Sequence, residues 1–140
     1  MTEKTLHKPL PELTDLTRPF WTAAKEGRLE IQKCARCATF NFFPRPWCLE
    51  CGSRDLHWTA TKATGTVYSY TVSRSVAMNY PGWQQELPLI LGLIDLDEGV
   101  RLYAQVTDCA PEDMQIGRRV QIHFESISDE AGIPKFRLVK

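Results

Sequence analysis

Four of the five cysteines in this 140-residue chain are spaced to hold a metal. Cys34-Ala35-Arg36-Cys37 is followed, after ten intervening residues, by Cys48-Leu49-Glu50-Cys51. A CxxC turn brings two thiolates to one side of the backbone. Two facing turns complete a tetrahedron around Zn²⁺, with each sulfur about 2.3 Å from the ion. Four thiolates close the coordination shell and leave no position for water, so the expected role of one Zn²⁺ per chain is structural. The competing readings are disulfides and a thioredoxin-like pair. A reducing compartment disfavours the first, and the βαβ pattern that the second requires flanks neither CxxC. Four-cysteine iron–sulfur sites usually show other spacings.

The remaining groups offer little further chemistry. Cys109 stands alone in Thr107-Asp108-Cys109-Ala110-Pro111, and a buried small hydrophobe fits it better than a nucleophile. The only downstream histidine that could activate it, His123, sits in an alternating strand pattern. His57 reads as a half-exposed strand histidine, because four cysteines already fill the metal site. The chain shows no GxSxG, no Ser/His/Asp order and no glycine-rich phosphate loop. The catalytic set is therefore expected to be empty.

The elements that must position the cysteines are short strands. Arg28–Lys33 alternates polar and apolar, Thr39–Phe43 is a second strand-like piece, and Asp55–Ala60 is a third. Pro44 and Pro46 force an extended path into the second CxxC, and Gly52 follows Cys51 where a positive φ is wanted. Together these predict a rubredoxin-like zinc ribbon over residues 28–62. A ribbon this small buries little, so metal binding is expected to supply much of its folding energy, on the order of 10 kcal/mol. Before it, residues 1–27 read as an arm and one helix, Thr14–Glu26, with Thr17 as cap, Pro19 in the first turn and Gly27 at the end.

After residue 63 the pattern changes to period two. Gly65–Ser73, Leu87–Asp97, Val100–Thr107, Val120–Glu125 and Pro134–Val139 read as five strands. A single helical turn at Pro111–Met114 lies between the third and fourth. This predicts a five-stranded OB-fold barrel over residues 63–140. Ribbon and barrel are each expected to have their own contacts. The segment joining the first two barrel strands carries Met78, Tyr80 and Trp83 in an expected exposed loop. That loop is a candidate contact surface for a partner or ligand.

Composition excludes several classes. The hydrophobic fraction of 43% and the charged fraction of 24% exclude wholesale disorder. No run approaches the roughly 18 apolar residues of a membrane-spanning helix. The polar Met1–Thr17 segment has no apolar core of a signal peptide, which predicts a cytoplasmic location. The formal net charge is 0, split as +3 over residues 1–62 (10 basic, 7 acidic) and −3 over residues 63–140 (7 basic, 10 acidic). Zinc ribbons and OB-folds both occur in nucleic-acid-binding modules, which is the alternative function here. The acidic barrel half lacks the basic stripe such a module needs.

The order of features resembles one family. Phe20-Trp21, Gly27-Arg28-Leu29, the two CxxC pairs with Phe43-Pro44-Arg45 between them, Gly65–Val72, Leu96-Asp97-Glu98-Gly99 and Ile116-Gly117 are similar to the acyl-CoA-associated zinc-ribbon/OB-fold family. The likeness covers roughly residues 14–138. Some members of that family have lost zinc ligands, whereas this chain keeps all four. The resemblance implies a small accessory subunit, inactive alone, that binds a thiolase-type, acyltransferase or hydratase partner and helps hold the CoA thioester. Certain relatives complete thiolases that act on aromatic or branched acyl-CoA. On that reading Arg45, Lys62 and Arg74, near the ribbon–barrel junction, are candidates to meet the CoA phosphates.

Overall fold

A computed structural model describes residues 8–75 and 80–140. The element order is α1 (Arg18–Lys25), β1 (Glu30–Cys34), β2 (Phe40–Asn41), β3 (Leu56–Ala60), β4 (Thr64–Ser73), α2 (Pro81–Gln84), β5 (Leu89–Leu96), β6 (Arg101–Thr107), β7 (Arg119–Ser126) and β8 (Gly132–Leu138). A 3-10 turn at Pro111–Asp113 is the helical connector between the third and fourth barrel strands. Helix α1 begins four residues later than its sequence pattern suggests. The Thr17 side chain forms no cap bond and meets the Thr14 hydroxyl instead, at 3.0 Å. Thr14 and Thr17 satisfy each other in a turn ahead of the helix, and Pro19 in the first turn needs no donor partner.

The ribbon is a three-stranded antiparallel sheet in the order β2-β1-β3. The second sheet is OB-like and follows the ring β4-β5-β6-β8-β7, with β7 returning to β4. Closure is uneven. Strand β8 pairs with β7 along its whole length, but with β6 at only two positions, Val106 with Phe136 and Thr107 with Arg137. Pro134, which has no N–H, lies in β8 outside that short parallel pairing. A register shift between Val67 and Ser69 bulges β4 and leaves Tyr68 half exposed.

Ribbon, helix and barrel share one core, which corrects the expectation of separate contacts. Phe20 of α1 and Leu29 and Ile31 of the first ribbon strand region belong to the same buried cluster as Val67, Ile94, Leu102 and Phe136. The helix is the mortar: its apolar face of Phe20, Ala23 and Ala24 is buried, and it packs against β1, β7 and β8. At about 25 cal/mol per Å² of apolar surface, burying a phenylalanine on this seam stabilises both modules at once.

Candidate functional site

The four ribbon cysteines converge. Their sulfurs all lie within 4.8 Å of one another, with Cys34 to Cys51 and Cys37 to Cys48 each at 3.6 Å. A tetrahedron with metal–sulfur bonds of about 2.3 Å has edges of about 3.8 Å, so the spacing fits a tetrathiolate ion without rearrangement. Backbone amides of Cys37 and Arg36 point at Cys34 and lower its pKa. The Cys48 thiol is brought down to about 6, first by the Asn41 side chain and then by the amides of Cys51 and Glu50. Such donors favour thiolate, the form that binds metal. Gly52 has φ +77°, the left-handed backbone anticipated after Cys51, and Gly27, at the end of the helix, has +85°.

Asn41 supports the cluster from outside and was not singled out by the sequence pattern. It is 5% exposed. Its Nδ2 donates to Cys48 Sγ at 3.4 Å, and its Oδ1 accepts from the Leu49 amide at 3.0 Å. One amide side chain thus ties β2 to the second CxxC. His57 stays outside the cluster and pairs with Asp55 at 2.6 Å on the surface.

The three basic candidates do not form one cluster. Lys62 precedes β4 and Arg74 follows it, so ten strand residues at about 3.3 Å each separate them. Lys62 and Arg74 are exposed. Arg45 lies between the CxxC pairs, where its backbone bonds the Gln32 side chain in both directions, at 2.7 and 3.0 Å. Its Nε is buried without a hydrogen-bond partner among the described residues.

Of the aromatic segment, Met78 lies outside the described residues. Tyr80 and Trp83 are half-buried rather than exposed, because Pro81 starts the short helix α2 and turns the segment onto the barrel. Trp83 carries the Lys8 ammonium 5.0 Å from its ring centre. Lys8 also meets Glu86 at 2.7 Å, and the buried Lys135 is paired with Glu125.

Lys8, Trp83, Glu125 and Lys135 border a groove of about 690 Å³. It lies where β6 and β8 part company: its floor comes from residues 102–105 of β6 and 133–135 of β8, just beyond their two shared pairs. Phe20 and Trp21 of α1 and Phe42 and Phe43 of the ribbon line it as one aromatic cluster, and Trp83 also belongs to the lining. Phe43 is 60% exposed and Tyr103 53%, so the rim is aromatic as well. Sequence reasoning named Trp83, which lines this groove, but missed the groove as such; its other early sign was the excess of aromatics in Phe20-Trp21 and Phe42-Phe43.

A catalytic constellation is not assembled among the described residues. Burial pushes the Cys109 thiol up, away from thiolate, and His123 meets Thr107 Oγ1 at 2.6 Å instead. The third group that would orient His123 as a base is missing from its described contacts.

Fold and site together define a zinc-ribbon/OB-fold protein with a closed tetracysteine centre. Residues 21–57 match the family described as "ChsH2, rubredoxin-like zinc ribbon domain", and residues 58–125 match "ChsH2, C-terminal OB-fold domain". The chain belongs to this ChsH2-type DUF35 family. It is 30% identical over 112 residues to a DUF35 domain-containing scaffold protein of Methanocaldococcus jannaschii, covering 79% of this chain and 77% of that one. It is 38% identical over 130 residues to a "Probable enoyl-CoA hydratase alpha subunit" of Thermomonospora curvata. That match takes in 93% of this chain but spans only 40% of the relative's length. Among solved structures, the chain is similar to one described as "Ltp2-ChsH2(DUF35) aldolase", with TM-score 0.80, 33% identity and coverage of 92% of this chain and 98% of that one.

Proposed function

We propose that this chain is a non-catalytic accessory subunit of an acyl-CoA-processing enzyme, with a thiolase-like partner that supplies the reacting groups. The observation that carries this reading is the near-complete likeness to a chain whose structure is described by a name joining it to a second protein, Ltp2, in an aldolase. The relative in T. curvata is likewise named as one subunit of a CoA enzyme. The chain's own chemistry agrees. A shell of four thiolates leaves a bound zinc no open position, so the ion would act as a clamp on the ribbon.

The division of labour is placement. A partner's nucleophile must meet a thioester at near-attack distance, and ordering the long pantetheine arm lowers the entropic part of the barrier. Arg45 is the residue assigned here to a CoA phosphate, because its guanidinium lacks an ion pair among the described residues and has an unpartnered buried Nε. Lys62 and Arg74 sit too far apart along β4 to share one phosphate with each other.

The nucleic-acid reading gains no support at Tyr68, where Arg101 lies over one face of the ring at 3.4 Å and is paired with Asp95 at 2.7 Å.

The test is reconstitution. The partner is assayed for acyl-CoA carbon–carbon cleavage with and without this chain, and the mixture is run on a sizing column. A stable complex with activity raised well above the partner alone is expected. Full activity of the partner alone, with no complex, overturns the proposal.

A further inference from the structure

We infer that the groove over the β6–β8 opening is a ligand site of this chain itself, and that it takes an uncharged, apolar molecule. The groove's size, its lining and its charge balance carry this. The volume of about 690 Å³ lies within the roughly 300–1,000 Å³ of small-molecule sites. The groove is lined by separate elements, α1 and the Phe42–Pro44 loop, over a floor of strands.

Its walls are ring systems held by the fold. Phe20 meets Trp21 edge-on at 5.1 Å, and Phe42 lies 5.7 Å from Phe20 and 4.4 Å from Phe43. Rings from two modules therefore form one contiguous aromatic cluster along the groove, an apolar lining that favours an apolar ligand.

The charges at one end decide the ligand's charge. Lys8 is paired with Glu86, and Lys135 with Glu125, with weaker crossed contacts of 4.0 Å from Lys8 to Glu125 and from Lys135 to Glu86. Two ammonium groups and two carboxylates neutralise one another. An anion entering here would have to break a partly buried pair, which is costly. The groove thus selects an uncharged molecule and is distinct from any phosphate-holding residue.

The probe is the uncharged naphthyl ketone 6-propionyl-2-(dimethylamino)naphthalene, whose emission shifts blue in apolar surroundings. Titrated into the isolated full chain, it is expected to bind saturably at one site. The anionic dye 1-anilinonaphthalene-8-sulfonate is expected to bind about tenfold more weakly or worse. Ala104→Trp, which fills the floor, is expected to weaken ketone binding about tenfold or more. The exposed wall variants Phe43→Ala and Tyr103→Ala provide the same reading if Ala104→Trp fails to fold, as judged by far-UV circular dichroism.

Absent saturable binding overturns the inference, as does binding that none of the folded variants changes, or a preference for the sulfonate. Loss of partner complex in Ala104→Trp without ketone binding to the wild type would show the groove to be covered by protein and would also overturn it. Binding by the isolated chain needs no partner, so the groove can fail while the accessory role survives, and the reverse.

Discussion

The backbone carbonyl oxygen of Ala24, in α1, lies 2.6 Å from the point that a Cβ on Gly132 of β8 would occupy. Helix and barrel strand therefore touch backbone to backbone, and only glycine fits at that crossing. The contact is rigid on both sides, because the nearest atoms are main chain rather than the end of a flexible side chain.

Gly132→Ala is expected to push α1 off β8 and lower stability by about 1–3 kcal/mol, the usual range for an overpacked core. Since Phe20 of α1 joins the ribbon side of the core to the barrel side, both should loosen together. Urea unfolding followed by tryptophan emission and by far-UV circular dichroism checks this. An unchanged midpoint would show that the helix shifts at no cost.

Removing the support of the metal cluster should be felt without touching a ligand. Asn41→Leu deletes the bonds to Cys48 Sγ and the Leu49 amide. Loss of such an outer partner typically costs about 10–100-fold in metal affinity. Competition with a chromophoric zinc chelator measures it. Cys109→Ser is the control, expected to retain one zinc per chain, whereas Cys48→Ser should lose it. Equal chelator resistance in Asn41→Leu and wild type would remove Asn41 from the site.

Acid stability should report on the Asp97–Arg119 pair. The Arg119 guanidinium binds both Asp97 oxygens, at 2.7 and 2.9 Å, and with the Thr64 hydroxyl holds this carboxyl well below the usual carboxylate range. The unfolded chain, with a carboxylate pKa near about 3.9, binds the proton first as pH falls. Stability from this pair is thus present above about pH 4 and declines progressively below it. Asp97→Asn should flatten that decline, as read from denaturant midpoints at a series of acid pH values. An identical acid limb in the variant would mean that the pair contributes nothing.

How much of this was legible in the sequence depended on how local the cause was. Strands β4 to β8 follow from their strand patterning, and the cysteine cluster follows from two fixed spacings, whereas helix α2 between β4 and β5 stands where the sequence suggests a loop. Gly27, Gly52 and Gly99 mark turns whose positive φ is a property of a few neighbouring residues. The groove had no such local cause. It arises because β6 and β8, about thirty residues apart in the chain, pair in parallel at only two positions and then diverge. Lys135 is 6% exposed, and its partners Glu125 and Glu86 come from other segments of the chain, which no local pattern signals. Trp83 is half-buried rather than exposed for a related reason: Lys8, from a distant segment of the chain, lies against its ring.

The backbone of Arg45 is fixed by Gln32, which is 5% exposed, so its side chain starts from a rigid part of the ribbon. A planar guanidinium suits a phosphate oxygen pair better than an ammonium does. In the reconstituted complex, Arg45→Gln should raise KM for the acyl-CoA about tenfold with kcat little changed, because a phosphate contact remote from the thioester binds ground state and transition state alike. Arg45→Lys should recover part of the loss by restoring charge without the fork. Zinc content and complex formation, measured on the same variants, separate a CoA contact from damage to the ribbon or to the interface. If KM stays at its wild-type value in Arg45→Gln while Lys62→Gln or Arg74→Gln raises it, the phosphate contact belongs to the barrel and the assignment of Arg45 is wrong.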